Sequence, residues 1–178
     1  GEDFFEELKR QTSAIGEIFD KTSEADSLNG GLDDAAQRVS DSYQEGDTVM
    51  AVNVSGGEIG YIAPGVGRTF GPLFDEFGFT PALEVEGASD DHQGDDISVE
   101  AIAKSNPDWL IVMDRDAAIG EENATAAELI ERSEALQDVT AVKEGNIVYL
   151  PADFYVAEDI QNHTTVMEDL AKAFEGAQ

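Results

Sequence analysis

Residues 105–120 read SNPDWLIVMDRDAAIG, and this stretch decides the fold class of the chain. Its Pro107 ends a preceding helix, because proline disfavours the helical conformation of the residue before it. Residues 109–113 are then all apolar over the length of a strand, and the run stops at the charged residues 114–116. A strand that is apolar throughout is typical of a parallel sheet with both faces covered. Ligands of such sheets bind outside the carboxyl ends of the strands, which makes Arg115 a candidate binding residue.

The sequence on both sides of this stretch alternates between strand and helix patterns. Strands are predicted at residues 48–54, 58–63, 82–85 and 147–150, and the first two form a hairpin across a Gly-rich turn. Helices are predicted at residues 4–19, 23–43 (interrupted or weakened at Asn29-Gly30-Gly31), 70–77, 98–104, 124–132, 135–142 (one turn) and 159–174. This order predicts an α/β fold, in which a mostly parallel central sheet is flanked by helices. Because the chain has no linker or internal repeat, we expect residues 1–178 to form one domain.

Composition and charge exclude several classes of protein. The chain carries 10 Lys and Arg against 39 Asp and Glu, which gives a net charge of −29. Nucleic acid is therefore excluded as a partner, because binding to phosphates requires clustered basic residues. No stretch reaches the roughly 18 uncharged apolar residues of a membrane helix. Without cysteine the chain has no disulfide and no thiolate metal site. The acidity predicts a well-solvated surface, and a high-salt habitat is an alternative reason for it.

Two arginines lie where a sheet of this kind binds a ligand. Arg68 lies in the glycine-rich loop PGVGRTFG (residues 64–71), between a predicted strand and a predicted helix, and its guanidinium can pair with an anion. Arg115 directly follows the strand described above. Each arginine has a plainer alternative. Arg68 can be a solvated residue of a tight turn, and Arg115 can form a surface ion pair with Asp114 or Asp116.

A histidine and a tyrosine are the candidate metal ligands. His92 lies in the acidic loop from Asp90 to Asp96, and imidazole together with carboxylates can hold a transition metal. Tyr155 follows the last predicted strand in PADFYVA (residues 151–157) and can provide a phenolate oxygen to a hard metal ion. The alternatives are a solvated loop for His92 and core packing for Tyr155.

The residues provide little support for catalysis. The chain has no Ser-His-Asp order, no GxSxG elbow and no HExxH helix, so we expect no enzymatic activity. Two other classes of protein stay open on the residues alone. One is a small metal-dependent α/β enzyme that uses the loop from Asp90 to Asp96, and the other is an interaction domain whose strand-end loops bind a protein.

Taken in chain order, four motifs resemble the C-terminal lobe of one protein family; they are PGVGRTFG, DDHQGDDIS, NPDWLIVMDRDAAIG and YLPADFYVA. The family comprises the ferric-siderophore substrate-binding proteins of ABC importers, of the catecholate or petrobactin type, with the class III periplasmic-binding-protein fold. The resemblance covers nearly the whole chain. It implies that residues 1–45 contain the backbone helix between two α/β lobes. It also implies that residues 46–178 form the C-terminal lobe and that the N-terminal lobe is absent.

For the four candidate residues the resemblance implies roles in ligand binding. Arg68 and Arg115 match arginines that pair with the anionic ferric siderophore, and His92 and Tyr155 match residues that ligate its iron. Two features depart from the family pattern. Gln93 stands between His92 and the glycine that usually follows directly, and the arginine loop is longer than the usual Ser-Arg-Phe-Gly.

The resemblance also implies how the whole protein works. The full-length form would be an extracytoplasmic lipoprotein at the membrane, which closes over its ligand with a second lobe and docks on an ABC permease. It would need no intrinsic cofactor, since the ferric siderophore is its cargo, and it would do no covalent chemistry. Receptors of the same fold for haem, cobalamin or bare metal ions are the alternatives within this fold.

Overall fold

The structure is a computed structural model, which describes residues 4–66, 69–85, 87 and 95–177. Its helices are α1 (Phe4–Ile18), α2 (Thr22–Ser42), α3 (Gly71–Phe77), α4 (Val99–Ser105), α5 (Arg115–Ile119), α6 (Ala126–Arg132), α7 (Thr140–Glu144) and α8 (Ile160–Gly176). Its strands are β1 (Thr48–Ser55), β2 (Glu58–Ile62), β3 (Thr80–Pro81), β4 (Asp95–Asp96), β5 (Trp109–Asp114) and β6 (Ile147–Tyr149). The structure also describes two 3₁₀ turns, Glu134–Leu136 and Ala152–Tyr155.

The chain divides into two compact units. The helical unit comprises Gly1–Tyr43 and Ala157–Gln178, and therefore contains α1, α2 and α8. The sheet unit comprises Gln44–Val156 and contains every strand that the structure describes. The C-terminal helix thus belongs with the first two helices rather than with the sheet that precedes it. In the described part of the chain, no helix combines the length and the apolar character that crossing a membrane requires.

In the helical unit, α2 packs along α8 through apolar side chains. Leu32 and Val39 of α2 are fully buried, as are Val166 and Leu170 of α8. The expected interruption of α2 at Asn29-Gly30-Gly31 is wrong, because the helix continues through this stretch without a break. Each glycine inside a helix costs about 1 kcal/mol relative to alanine. Burial of the apolar face against α8 stabilises the helix by more than these two glycines cost.

The sheet unit contains one mixed sheet in the order β4-β2-β1-β5-β6. β1, β5 and β6 run parallel, and β2 returns antiparallel to β1 after a tight turn at residues 56–57. β3 pairs in parallel with the first two residues of β1. The prediction of an α/β fold with a mostly parallel sheet is therefore confirmed.

One predicted strand, at residues 82–85, is wrong, because the strand in this region is β3, which begins two residues earlier. β2 pairs with β1 from Ala51 onward, so residues 48–50 of β1 remain for another strand on that side, and β3 pairs with Thr48 and Val49. The N–H of Ala82 donates a hydrogen bond to the carbonyl of Val49, and residues 83–85 belong to no strand. The helical turn predicted at residues 135–142 is divided between a 3₁₀ turn and α7.

The two central strands are buried on both faces. Residues 49–54 of β1 and 109–113 of β5 are all buried, although successive side chains of a strand point to opposite faces. The register pairs Met50 with Leu110, and both side chains belong to a core that includes apolar residues of α4, α6 and α7. The parallel register brings the carboxyl ends of both strands to the same edge of the sheet.

Candidate binding site at the strand ends

Three parallel strands bring polar side chains to one edge of the sheet. The register pairs Val54 of β1 with Asp114 of β5, so Ser55 and Arg115 follow at neighbouring strand ends. β6 lies beside β5 in the same direction, and the 3₁₀ turn after it carries Tyr155. Arg115 and Tyr155, two of the four predicted binding residues, therefore lie together. Ser55, which was not among the predicted binding residues, contacts Arg115 as well.

The guanidinium of Arg115 is held by two neutral hydroxyl groups. Its Nε donates to the Tyr155 hydroxyl at 3.2 Å, and its Nη1 donates to Ser55 Oγ at 3.2 Å. Its Cζ also lies 5.6 Å from the centre of the Tyr155 ring, within the range of a cation–π contact. Among the described residues, Arg115 Nη2 has no hydrogen-bond partner. Both N–H groups of Nη2, on a partly exposed guanidinium, therefore remain available to an anion.

The sequence indicates Asp116 only as an ion-pair partner of Arg115. In the structure, its carboxylate makes shorter contacts with other residues. Its buried carboxylate accepts from the backbone N–H groups of Gly56 and Gly57, both at 2.8 Å, and from Asn123 Nδ2 at 2.9 Å. Arg115 Nη1 lies farther away, at 3.8 Å from Asp116 Oδ1. Burial raises the pKa of Asp116, but the hydrogen bonds and the charge of Arg115 outweigh it, so the pKa lies below its usual value.

The sheet unit also contains a cleft of about 680 Å³. Ser55, which accepts from Arg115, also lines this cleft together with residues of the β1–β2 turn, β2, α4 and α6. A volume of this size suits a small-molecule ligand. Arg115 and Tyr155 do not line this cleft, so Ser55 is what the cleft and the contacts of Arg115 have in common.

Arg68 and His92, the other two predicted binding residues, lie outside the described residues, so their roles stay predictions. The structure does describe the chain directly after Arg68. The ring of Phe70 lies 6.0 Å from the ring of Phe154, which precedes Tyr155 in the chain. One end of the arginine loop therefore packs against the 3₁₀ turn that carries Tyr155.

Residues 1–154 match the sequence profile of a protein family described as "Periplasmic binding protein". The chain belongs to this family. The resemblance to periplasmic binding proteins, predicted from the four strand-end motifs, is therefore confirmed.

Relatives of this chain include proteins that are named for siderophores. The petrobactin-binding protein YclQ of Bacillus subtilis is 32% identical over 151 residues, which are 83% of this chain and 45% of YclQ. The ferric-anguibactin-binding protein FatB of Vibrio anguillarum is 26% identical over 174 residues, which are 94% of this chain and 52% of FatB. This chain spans about half the length of these curated relatives.

Solved structures confirm the fold. The crystal structure of YclQ matches with a TM-score of 0.81 and 26% identity, over 98% of this chain and 61% of YclQ. The siderophore-binding protein BauB, solved with ferric iron and two molecules of acinetobactin, matches with a TM-score of 0.78 and 27% identity. That match covers 97% of this chain and 59% of BauB. The chain therefore has the α/β fold of a periplasmic binding protein.

Proposed function

We propose that this chain is the C-terminal lobe of the solute-binding component of an ABC importer for iron–siderophore complexes. The observation that carries the proposal is the guanidinium of Arg115. Two hydroxyl groups hold it at the strand ends, and both N–H groups of its Nη2 are unused by the described residues. The choice of ligand is supported by YclQ, FatB and BauB, whose names or bound molecules identify them as siderophore-binding proteins.

Arg115 differs from most other basic side chains that the structure describes. Seven of them form an ion pair with an acid at 3.3 Å or less. The hydrogen-bond partners of Arg115 are instead neutral, and its ion pair with Asp116 is longer, at 3.8 Å. On a chain with a net charge of −29, such an arginine provides a local attraction for an anion. A ferric catecholate, which carries several negative charges, is the anion that we propose.

The remaining predicted residues complete the proposed site. Tyr155 and His92 would ligate the iron of an incomplete siderophore complex, and Arg68 would add a second positive charge. Iron(III) is a hard ion that accepts phenolate oxygen and imidazole nitrogen. The contact between Phe70 and Phe154 supports a shared site, since these residues neighbour Arg68 and Tyr155 in the chain.

A second lobe of the same protein would cover an apolar surface of the helical unit. Ile15, Ile18 and Phe19 are 58%, 76% and 70% exposed. Ile15 and Phe19 also line a groove of about 550 Å³, together with residues of α1, α2 and the segment that enters α8. Contiguous exposed apolar surface marks an interaction site. The length of the curated relatives, about twice that of this chain, supports a covering lobe within the same protein.

In the importer, the two lobes would enclose the ferric siderophore and dock together on a membrane permease. The full-length protein would be extracytoplasmic, held at the membrane as a lipoprotein, and without covalent chemistry of its own. A haem, cobalamin or bare-metal receptor of the same fold is the alternative. An enzyme that uses the loop from Asp90 to Asp96 is the alternative of another class. Across the described ranges, no three acidic, histidine or cysteine side chains are grouped to hold a metal ion, and residues 90–94 lie outside those ranges.

Arg115→Ala tests the proposal. The affinity of the full-length protein for ferric petrobactin is measured by isothermal titration calorimetry, with quenching of Trp109 fluorescence as a second readout. We expect Arg115→Ala to weaken binding by about ten- to a hundredfold, because a hydrogen bond to a charged group contributes about 1.5–3 kcal/mol. Arg132→Ala is the matched control, since it removes the same charge from an exposed arginine that pairs with Glu128.

The possible outcomes separate the role of the residue from the function of the protein. Equal affinities of Arg115→Ala and Arg132→Ala would contradict the role of Arg115. If the folded wild-type protein bound no ferric catecholate, the siderophore proposal would be refuted. Binding of haem, cobalamin or a bare metal ion in its place would favour the alternative receptors, and metal-dependent turnover would favour the enzyme.

A further inference from the structure

In the sequence Asp114-Arg115-Asp116, an arginine stands between two acids, a pattern in which ion pairs would neutralise its charge. In the structure, both carboxylates instead accept hydrogen bonds from backbone N–H groups. Asp114 accepts from the N–H of Ala117 in α5 at 3.0 Å and from the N–H of Ala126 in α6 at 2.8 Å. Asp116 accepts from two backbone N–H groups of the β1–β2 turn. Among the described residues, Arg115 therefore has no ion pair shorter than 3.8 Å.

The turn that Asp116 holds is the tip of the β1–β2 hairpin. Gly56 and Gly57 have φ values of 62° and 76°, in the left-handed region that this two-residue turn requires and that glycine adopts readily. In this conformation both N–H groups reach one carboxylate, with Oδ1 accepting from Gly56 and Oδ2 from Gly57. Asn123 donates a third hydrogen bond to Oδ2. Asp116 thereby fastens the hairpin tip to the start of α5.

We propose that Asp116 is the positioning residue of the binding site and that it acts on Arg115 through the hairpin tip. Ser55 is the last residue of β1 and directly precedes this tip, and its hydroxyl accepts from Arg115 Nη1. Holding the tip in place therefore holds Ser55. Ser55 and Tyr155 then set the direction of the guanidinium and leave its Nη2 for the ligand. This inference rests on the proposed function, because it assigns Asp116 a task at the same ligand site.

The same contacts explain how a buried negative charge is tolerated beside an arginine that binds an anion. Three N–H donors at 2.8–2.9 Å stabilise the Asp116 carboxylate, which would otherwise carry a large desolvation penalty. The carboxylate therefore does not need a close contact with Arg115. The arginine in turn keeps donors that a close bidentate pair with Asp116 would have used.

Asp116→Asn tests the inference, because an amide has nearly the size of a carboxylate but one acceptor oxygen for the two turn N–H groups. Asp138→Asn is the matched control, since it removes the same charge from a 93% exposed side chain. Two measurements are compared. The ¹H–¹⁵N NMR spectrum of the ligand-free chain reports the amides of Gly56 and Gly57 and the Nε of Arg115. Calorimetry on the full-length protein reports the affinity for ferric petrobactin.

We expect Asp116→Asn to shift these three NMR signals and to weaken binding on the order of tenfold, which is the loss that removal of an outer hydrogen-bond partner causes at metal sites. Asp138→Asn should change neither measurement. Asn123→Ala removes one of the three hydrogen bonds and should shift the same signals less, so it tests the inference if Asp116→Asn does not fold.

Two results would overturn the inference. An unchanged Arg115 Nε signal in Asp116→Asn would do so even if the affinity fell, because the guanidinium would then have kept its position without the Asp116 carboxylate. Shifted signals with wild-type affinity would do so as well, because the position of the tip would not matter to the ligand. If the wild-type protein bound no ferric siderophore, the proposed function would fail, and the NMR comparison would still decide whether Asp116 positions Arg115.

Discussion

His163 makes the stability of the helical unit depend on pH. The side chain is fully buried in α8, and its ring centre lies 5.0 Å from that of Phe4. Burial lowers the pKa of His163 from 6.5 to about 4, and the negative charges of Glu158 and Asp159 oppose this shift only in part. The folded protein therefore keeps this imidazole neutral at pH values where the unfolded chain already binds a proton.

The sign and the size of the effect follow from this difference in proton binding. Between pH 6.5 and about 4 the unfolded state binds more protons at this residue, so the free energy of unfolding decreases as the pH falls. Each pH unit in this window contributes about 1.4 kcal/mol. Protonation of unfolded His163 therefore destabilises the folded state by about 3 kcal/mol at pH 4 relative to pH 7.5.

Urea unfolding of the wild-type chain and of His163→Leu between pH 7.5 and pH 4 measures this contribution. Both proteins share the same carboxylates and the same His92, so the difference between their unfolding free energies at each pH isolates His163. We expect the free energy of unfolding of His163→Leu to rise by about 3 kcal/mol relative to that of the wild type between pH 7.5 and pH 4. A difference that stays constant would refute the reasoning, because His163 would then have the same pKa in the folded and unfolded states.

Three further predictions concern stability. Gly30→Ala should raise the free energy of unfolding by up to about 1 kcal/mol, because a Cβ at this helical position meets no atom within 4 Å. Gly16→Ala should lower it, because the added Cβ would lie 2.6 Å from the Cβ of Ala25. Urea unfolding measures both, and a loss of stability in Gly30→Ala would contradict the first expectation. Raising KCl from about 0.1 M to about 1 M should raise the Tm of the chain, since salt screens the self-repulsion of a net charge of −29. Thermal unfolding followed by circular dichroism checks this, and a Tm that falls or does not move would contradict it.

Local patterns predicted most of the helices and strands, and distant segments caused the errors. The apolar runs of β1 and β5 are visible in the sequence because every side chain in them is buried. The continuity of α2 across Asn29-Gly30-Gly31 depends on α8, which follows more than a hundred residues later. The place of β3 depends on how much of β1 is already paired with β2. Neither the packing of α8 nor the pairing of β2 can be read from the residues of α2 or β3 themselves.

The candidate site was predictable in part, for a similar reason. Arg115 and Tyr155 were predicted because each directly follows a strand, and parallel strands end at one edge of a sheet. Ser55 was predictable in the same way, because it is the last residue of the neighbouring parallel strand. Arg68 and His92 lie outside the described residues, and their roles stay predictions.

By itself, the sequence determined the α/β fold class, the acidic surface and the presence of an arginine at the end of a buried strand. Only the tertiary structure decided what surrounds that arginine. These contacts join residues that are far apart in the chain. The hydrogen bonds between Arg115 and Ser55 and between Gly56 and Asp116 each span 60 positions. The hydrogen bond between Arg115 and Tyr155 spans 40 positions. The pattern Asp-Arg-Asp is the same whether the acids neutralise the arginine or hold other parts of the backbone. The outcome depends on where the hairpin tip and the turn after β6 meet the end of β5, and that is set by strand register and packing.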